Sequence, residues 1–157
     1  MSDLSSYLEL VGARRAAYPT CPDQQALVYA CEDVVDQELG SPVVPKDRIA
    51  DFIGRICRSE DIEAPSIAHA RSGSVRASAD PEGWTICING RGTTSSVLLH
   101  ELAHLTVGAD SHGVVFRDEL VRLVRAHVSV QHAAMLHSLF TGVHLEMSPW
   151  GASTRRH

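Results

Sequence analysis

The stretch VLLHELAHLTVGADSH, residues 97–112, constrains this chain more than any other part of its sequence. It contains His100-Glu101-x-x-His104, and His112 follows after seven further residues. An α-helix turns by about 100° per residue, so His100 and His104 share one helical face, one turn apart. Two imidazoles in that position can bind one metal ion, while Glu101 is rotated away from them and can instead reach a metal-bound water. The spacing therefore predicts a zinc-binding helix that also carries a general base.

The composition is that of an ordinary globular protein and disfavours two classes of partner. The chain has 157 residues, of which 44% are hydrophobic and 21% charged, so a domain with a substantial core is expected. Its formal net charge is −5, whereas proteins that bind nucleic acids or anionic membranes generally carry a basic patch, so we expect neither partner. We see no signal peptide and no apolar stretch long enough to span a membrane, so a cytoplasmic location is expected. The oligomeric state stays open.

The four cysteines are scattered along the chain and form no Cys-x-x-Cys pair. This pattern predicts reduced and mostly buried thiols rather than a disulfide framework or a cysteine-based zinc site. The positions concerned are Cys21, Cys31, Cys57 and Cys87.

Apolar residues repeat at helical spacing in four segments besides the motif. Two helices are thus predicted before the motif helix and two after it, with Gly40, Gly108 and Gly142 as expected helix ends. The Thr and Ser residues of TTSS, 93–96, offer N-caps for the motif helix. The four segments are DQQALVYACEDVVDQEL (23–39), PKDRIADFIGRICRSE (45–60), SHGVVFRDELVRLVRAHV (111–128) and QHAAMLHSLFTG (131–142).

Between the second helix and the motif, the sequence changes character at Pro65. Three short runs, SIAHARS (66–72), SVRASAD (74–80) and WTICING (84–90), are separated by Ser72-Gly73 and by the turn sequence DPEG. Such runs predict a meander of antiparallel strands. The expected fold class is therefore α+β, with a small three-stranded antiparallel sheet packed against the motif helix and about four further helices.

A third zinc ligand is required, and two residues compete for the role. Asp110 stands six residues after the second histidine, where the metzincin pattern HExxHxxGxxH/D has its last ligand, and Met147 would then supply a Met-turn. That pattern requires a glycine three residues after the second histidine, but Val107 occupies this position. A chain reversal after Gly108 can instead return His112 toward the motif helix. We favour His112, because imidazole is the commoner third ligand in such sites.

Further residues near the motif could assist the site. Glu119 is a weaker ligand candidate, since its simpler interpretation is a solvated helix carboxylate beside Arg122. Asp118 could orient a ligand histidine through a hydrogen bond. Arg117 and His144 could stabilise a developing oxyanion, and the sequence does not choose between them. The histidines of the C-terminal helices are otherwise expected at the surface or at helix ends: His127, His132, His137 and His144. His69 lies in a predicted strand and is expected to be structural.

The arrangement of HExxH, a short loop and HGVVF (112–116) resembles that of the SprT-like and WLM-type zinc metallopeptidases. The likeness is closest to a small family of actinobacterial metallohydrolases with this HExxH core, and it extends over about residues 22–145. It implies a zincin-like single domain over residues 21–145, preceded by a loosely ordered segment, 1–20, and followed by a C-terminal tail, 146–157. It also implies that His100, His104 and His112 bind one zinc ion and that Glu101 is the base.

These features predict a zinc-dependent hydrolase, specifically a small metallopeptidase in which a zinc-bound water, activated by Glu101, attacks a peptide carbonyl. In zincins an edge strand of the sheet pairs with an extended peptide or protein substrate, and WTICING (84–90) is expected near the motif helix. Two alternatives stay open: hydrolysis of a non-peptide amide or ester, and a non-catalytic zinc-containing regulatory or binding module.

Overall fold

A computed structural model of the chain describes residues 3–70, 77–90, 92–108 and 111–151. The described residues form six α-helices and five short strands, so the predicted α+β class is confirmed. They fall into two compact units, one drawn from residues 1–40 and 110–157 and the other from residues 41–109.

The described residues of the first unit form four helices. Helix α1 packs against α2 and α6, α2 also packs against α6, and α5 packs against α6. The apolar stripe predicted on α5 is buried, with Phe116, Leu120 and Leu123 almost fully removed from solvent. The bounds are α1 Leu4–Arg15, α2 Asp23–Leu39, α5 Val114–His127 and α6 Val130–Gly142.

Helix α1 corrects the prediction that residues 1–20 are loosely ordered. The Asp3 side chain caps the helix by accepting from the Ser6 backbone N–H at 2.9 Å, and Val11 is fully buried. Gly142 approaches α1 so closely that an added Cβ would lie 2.7 Å from a Leu8 methyl group. Helix α1 was not predicted because the apolar residues of this segment form no continuous stripe, and Leu4 and Leu10 remain exposed.

The second unit contains all five strands, a short 3-10 helix and the helices α3 and α4. Helix α3 packs against β1, while α4 packs against β3, β4 and β5. The bounds are β1 Val43–Pro45, the 3-10 helix Lys46–Arg48, α3 Ile49–Glu60, β2 Ser66–Ala70, β3 Ala77–Asp80, β4 Thr85–Asn89, β5 Gly92–Thr94 and α4 Ser95–Val107.

The three predicted strands are present, but the predicted meander is wrong. Strand β4 lies in the centre of the sheet, pairing antiparallel with β3 and parallel with β2. Ile86 and Ile88 of β4 are fully buried, whereas β3 has the sequence Ala-Ser-Ala-Asp with no large apolar side chain. The central position is the one most shielded from water, so it goes to the strand with the larger apolar residues.

A second sheet was not predicted: β1 and β5 form a two-stranded antiparallel pair directly before α4. Gly92 is required at the start of β5, because an added Cβ would lie 2.8 Å from the Val44 carbonyl oxygen. Strand β5 runs directly into α4, so this pairing fixes where the motif helix begins.

Replacing Val11 by Ala tests whether α1 is an integral part of its unit. The change removes two methyl groups from a fully buried site, and we expect the free energy of unfolding to fall by about 1–3 kcal/mol. Leu10→Ala, on the exposed side of the same helix, should change it by no more than about 0.5 kcal/mol. Urea unfolding of both variants measures the difference, and equal small effects would mean that α1 contributes little to stability.

Candidate metal centre

Helix α4, which carries the motif, is fixed at both ends. Thr94 Oγ1 accepts a hydrogen bond from the Val97 N–H at 3.3 Å, and Ser41 Oγ accepts from the Ser96 N–H at 3.2 Å. The helix ends where Gly108, with φ of 76°, donates its N–H to the His104 carbonyl at 3.0 Å. The Thr/Ser caps and the glycine stop predicted for this helix are therefore confirmed.

His100 and His104 face each other from successive turns of α4. Their Nε2 atoms lie 3.1 Å apart, and their ring planes meet at 68°. Two nitrogen ligands at the usual distances from a tetrahedral zinc ion are separated by about 3.3–3.4 Å. The spacing of the two ring nitrogens is thus close to what one ion requires of two ligands.

Burial keeps the imidazole of His104 neutral at ordinary pH. Desolvation is the larger cause and the neighbouring His100 the smaller, and together they lower the pKa of His104 from 6.5 to about 4. A metal ion binds only the neutral form of an imidazole. This ring is therefore available to a metal ion without first losing a proton.

His112 is buried just before α5, and two aromatic rings contact its imidazole. Tyr29 and Phe116 both make edge-to-face contacts with it, at centroid distances of 5.5 and 5.1 Å. Ser111 Oγ lies 3.4 Å from its Nδ1 atom. Phe116 could be expected from the HGVVF spacing, whereas Tyr29, distant in sequence, gave no signal of its position.

His100 and His104 can each offer one ring nitrogen to the same ion, and His112 is the third ligand that the sequence motif implies. Glu101, the proposed base, is 93% removed from solvent and belongs to the same helix as the first two histidines. Burial of so many polar side chains in one short stretch is costly unless they serve a ligand or one another. Helix α4 thus presents two facing imidazoles and a buried glutamate that could serve a metal ion.

Asp110 and Glu119 were the other candidates for the third metal ligand. Asp110 lies outside the described residues. Glu119 forms an ion pair with Arg122 at 2.6 Å, as predicted. Both side chains are about nine-tenths buried, however, so the expectation of a solvated carboxylate was wrong.

Asp118 and Arg117 have roles other than those predicted for them. Both Asp118 oxygens accept hydrogen bonds from Ser148, one from the N–H at 3.0 Å and one from Oγ at 2.5 Å, so Asp118 does not orient a ligand histidine. Arg117 donates to main-chain carbonyls, including that of His112 at 2.6 Å. These hydrogen bonds connect its guanidinium to main-chain carbonyls of His112 and Glu146, which differs from the oxyanion-stabilising role predicted for it.

Two of the histidines set aside from the site have structural partners. His132 lies near the start of α6, where its Nδ1 contacts Ser129 Oγ at 2.6 Å and its Nε2 contacts the Gly40 carbonyl at 2.9 Å. His137 Nε2 contacts the Ser148 carbonyl at 2.9 Å. His132 thus lies at a helix end, as expected, whereas His137 is half-buried in the middle of α6.

The lowered pKa of His104 makes the metal-free protein sensitive to acid. The free energy of unfolding should fall as the pH is lowered from about 6.5 to about 4. In this window the unfolded state binds a proton at the imidazole and the folded state does not, so protonation favours unfolding. Below about 4 both states carry the proton and this contribution stays constant.

Urea unfolding of chelator-treated protein between pH 4 and 7 measures this dependence. His104→Gln should show a weaker decline over the same range, because the titrating imidazole is gone. An equal decline in both proteins would contradict the assignment to His104.

No family model, no curated protein and no solved structure matches the chain. Among the described residues, no helix combines the length and the apolarity that crossing a membrane requires.

Proposed function

We propose that this protein is a zinc-dependent hydrolase, and specifically a small metallopeptidase. The observation that carries the proposal is the pair of imidazoles on α4, whose Nε2 atoms lie 3.1 Å apart, together with a buried glutamate on the same helix. His112 is the third ligand that the sequence motif implies. Catalytic zinc sites generally have three protein ligands and one open position, whereas structural sites have four protein ligands. Three histidines together with a carboxylate that is not a ligand correspond to the catalytic type.

The donor set suits zinc better than a harder cation. All three groups offer nitrogen, which zinc binds readily, while calcium and magnesium prefer carboxylate and carbonyl oxygen. The neutral form of His104 favours metal binding without proton release at that ring. His100, His104 and His112 would hold the ion.

Glu101 is the residue we assign to proton transfer. When bound, zinc supplies Lewis-acid chemistry, because it polarises a carbonyl oxygen and lowers the pKa of water. A carboxylate oxygen of Glu101 would accept the proton of the attacking water as the new C–O bond forms. It would then deliver that proton to the leaving nitrogen as the C–N bond breaks, so the carboxylate ends the cycle unchanged.

The sheet suggests how a peptide substrate would be bound. WTICING was expected near the motif helix, but its strand β4 is central and its main chain already pairs on both sides. Strand β3 is an edge strand of the described sheet and packs against α4. We therefore propose β3 as the strand that pairs with an extended substrate through main-chain hydrogen bonds.

The resemblance to SprT-like and WLM-type metallopeptidases supports the same assignment. Phe116, at the spacing typical of those families, packs against His112 as the motif implies. Substrate identity does not follow from the resemblance, because one fold can host many substrates.

Elemental analysis of protein purified without a metal-affinity column tests the ligand assignment. We expect about one zinc per chain, lost in His112→Ala and retained in Asp110→Ala, because His112 is the proposed third ligand. Loss of zinc in Asp110→Ala alone would instead favour the metzincin-type arrangement. A correctly folded wild-type protein without any metal would overturn the proposal.

Glu101→Gln tests whether the site is catalytic. The change removes the proton acceptor but no ligand, so zinc content should stay at one per chain while turnover falls by about 10²–10⁴-fold. Cleavage of an unfolded, fluorescently labelled polypeptide, with new N-termini identified by mass spectrometry, is a suitable assay. Glu119→Gln, which changes a buried carboxylate on α5, is the matched control and should retain activity.

Any biological effect of the protein that survives Glu101→Gln would favour a non-catalytic zinc module. Turnover of small amides or esters without cleavage of the polypeptide would favour the non-peptide hydrolase.

A further inference from the structure

Arg117 lies on the first turn of α5 and connects two distant parts of the chain. Its side chain is 3% exposed. Nη1 donates to the His112 carbonyl at 2.6 Å, while Nη2 and Nε both donate to the Glu146 carbonyl, at 2.8 and 3.3 Å. One guanidinium thus joins the backbone of the proposed third ligand to the segment that follows α6.

That segment, which we call the C-terminal strap, comprises residues 146–150 and has no regular structure before Trp150. Several side chains nevertheless hold it in place. Asp118 accepts both hydrogen bonds from Ser148, and His137 contacts the Ser148 carbonyl. Arg125 donates to the Trp150 carbonyl at 3.3 Å and lies over the Trp150 ring, 4.2 Å from its centroid.

The His112 carbonyl needs a partner of this kind. Gly113 is the N-cap of α5, and its own carbonyl accepts the Arg117 N–H at 3.0 Å. The His112 carbonyl therefore lies outside the helix, and a buried main-chain carbonyl without a donor is costly. A guanidinium satisfies it and, because several N–H groups are fixed in one plane, also fixes its direction.

We propose that Arg117 is a positioning residue for the metal site: held by the strap, it sets the backbone of His112 and thereby aims this imidazole at the ion. The proposal rests on the proposed function, because it takes His112 as a zinc ligand. The other two ligands are spaced by their own helix, whereas His112 precedes α5 and needs tertiary contacts to fix it. Tyr29 and Phe116 hold its ring, and Arg117 holds its backbone.

The proposal predicts that metal affinity depends on Arg117. Groups that orient a zinc ligand typically contribute 10–100-fold to affinity, so Arg117→Gln should weaken zinc binding by about that factor. The zinc affinity of Arg117→Lys should lie between those of wild type and Arg117→Gln. An ammonium group can donate to one carbonyl but cannot span both as a guanidinium does. Competition with a chromophoric chelator gives the affinities.

If Arg117 only stabilised the fold, other destabilising changes nearby would weaken zinc binding as much as Arg117→Gln does. Two control variants distinguish that case from a positioning role. Arg122→Gln removes another buried arginine from α5, which bonds to the Glu119 side chain, and should leave zinc affinity within about twofold of wild type even if it lowers stability. Glu146→Ala should be silent, since Arg117 bonds to the Glu146 carbonyl and not to its side chain. Asp118→Ala loosens the strap without touching Arg117 and should weaken zinc binding, though less than Arg117→Gln.

Cobalt(II) substitution adds a readout that general destabilisation would not change. Visible absorption of bound cobalt reports ligand geometry, so Arg117→Gln should alter the band positions or intensities while Arg122→Gln keeps the wild-type spectrum. If Arg117→Gln does not fold, Arg117→Lys and Asp118→Ala carry the same test.

The outcomes distinguish this inference from the proposed function. If wild-type protein binds zinc and His112→Ala does not, but the Arg117 and Asp118 variants match Arg122→Gln in affinity and in cobalt spectrum, the positioning role is wrong and the zinc site stands. If zinc binding survives His112→Ala, the positioning role and the assignment of His112 as a ligand are wrong, while a zinc site with another third ligand stands. If wild-type protein binds no zinc, the proposed function fails as well.

Discussion

Two imidazole nitrogens 3.1 Å apart on a largely buried helix are the constraint on which the rest of the candidate site depends. Burial lowers the pKa of His104, so this imidazole stays neutral and can accept a metal ion at ordinary pH. The caps at Thr94 and Ser41 and the stop at Gly108 fix the ends of the helix that spaces the pair. The pairing of β1 with β5 directly before α4, and the packing of α4 against β3, β4 and β5, add further contacts that position this helix.

The third imidazole is held by different means. His112 lies before a helix instead of within one, so the regular geometry that spaces the other two does not apply to it. Its ring packs against Tyr29 and Phe116, and its carbonyl accepts from Arg117, which is held in turn by the Glu146 carbonyl. Arg117, a candidate for oxyanion stabilisation in the sequence, and Glu146, in the predicted C-terminal tail, thus both help to hold His112.

Local patterns were reliable and long-range pairings were not. The four helices predicted around the motif are present because apolar periodicity, caps and glycine stops act within a few residues. The sheet order was missed because it depends on which strand is most shielded from water. That strand is β4, which buries Ile86 and Ile88, and the ranking requires a comparison between strands that are far apart in the sequence. Helix α1 was missed for a related reason. Val11 is its one fully buried residue, and a single buried residue produces no periodic pattern of apolar positions.

The sequence by itself determined the α+β class, the motif helix, its two facing histidines and the glutamate beside them, because helical geometry converts spacing directly into position. Only the tertiary structure decided which strand lies at the edge beside α4, that Asp118 binds Ser148, and that Arg117 holds the backbone of His112. The physical reason is that these contacts join residues far apart in the chain. Their pairing is set by burial and by the need to satisfy buried polar groups, neither of which a local pattern records.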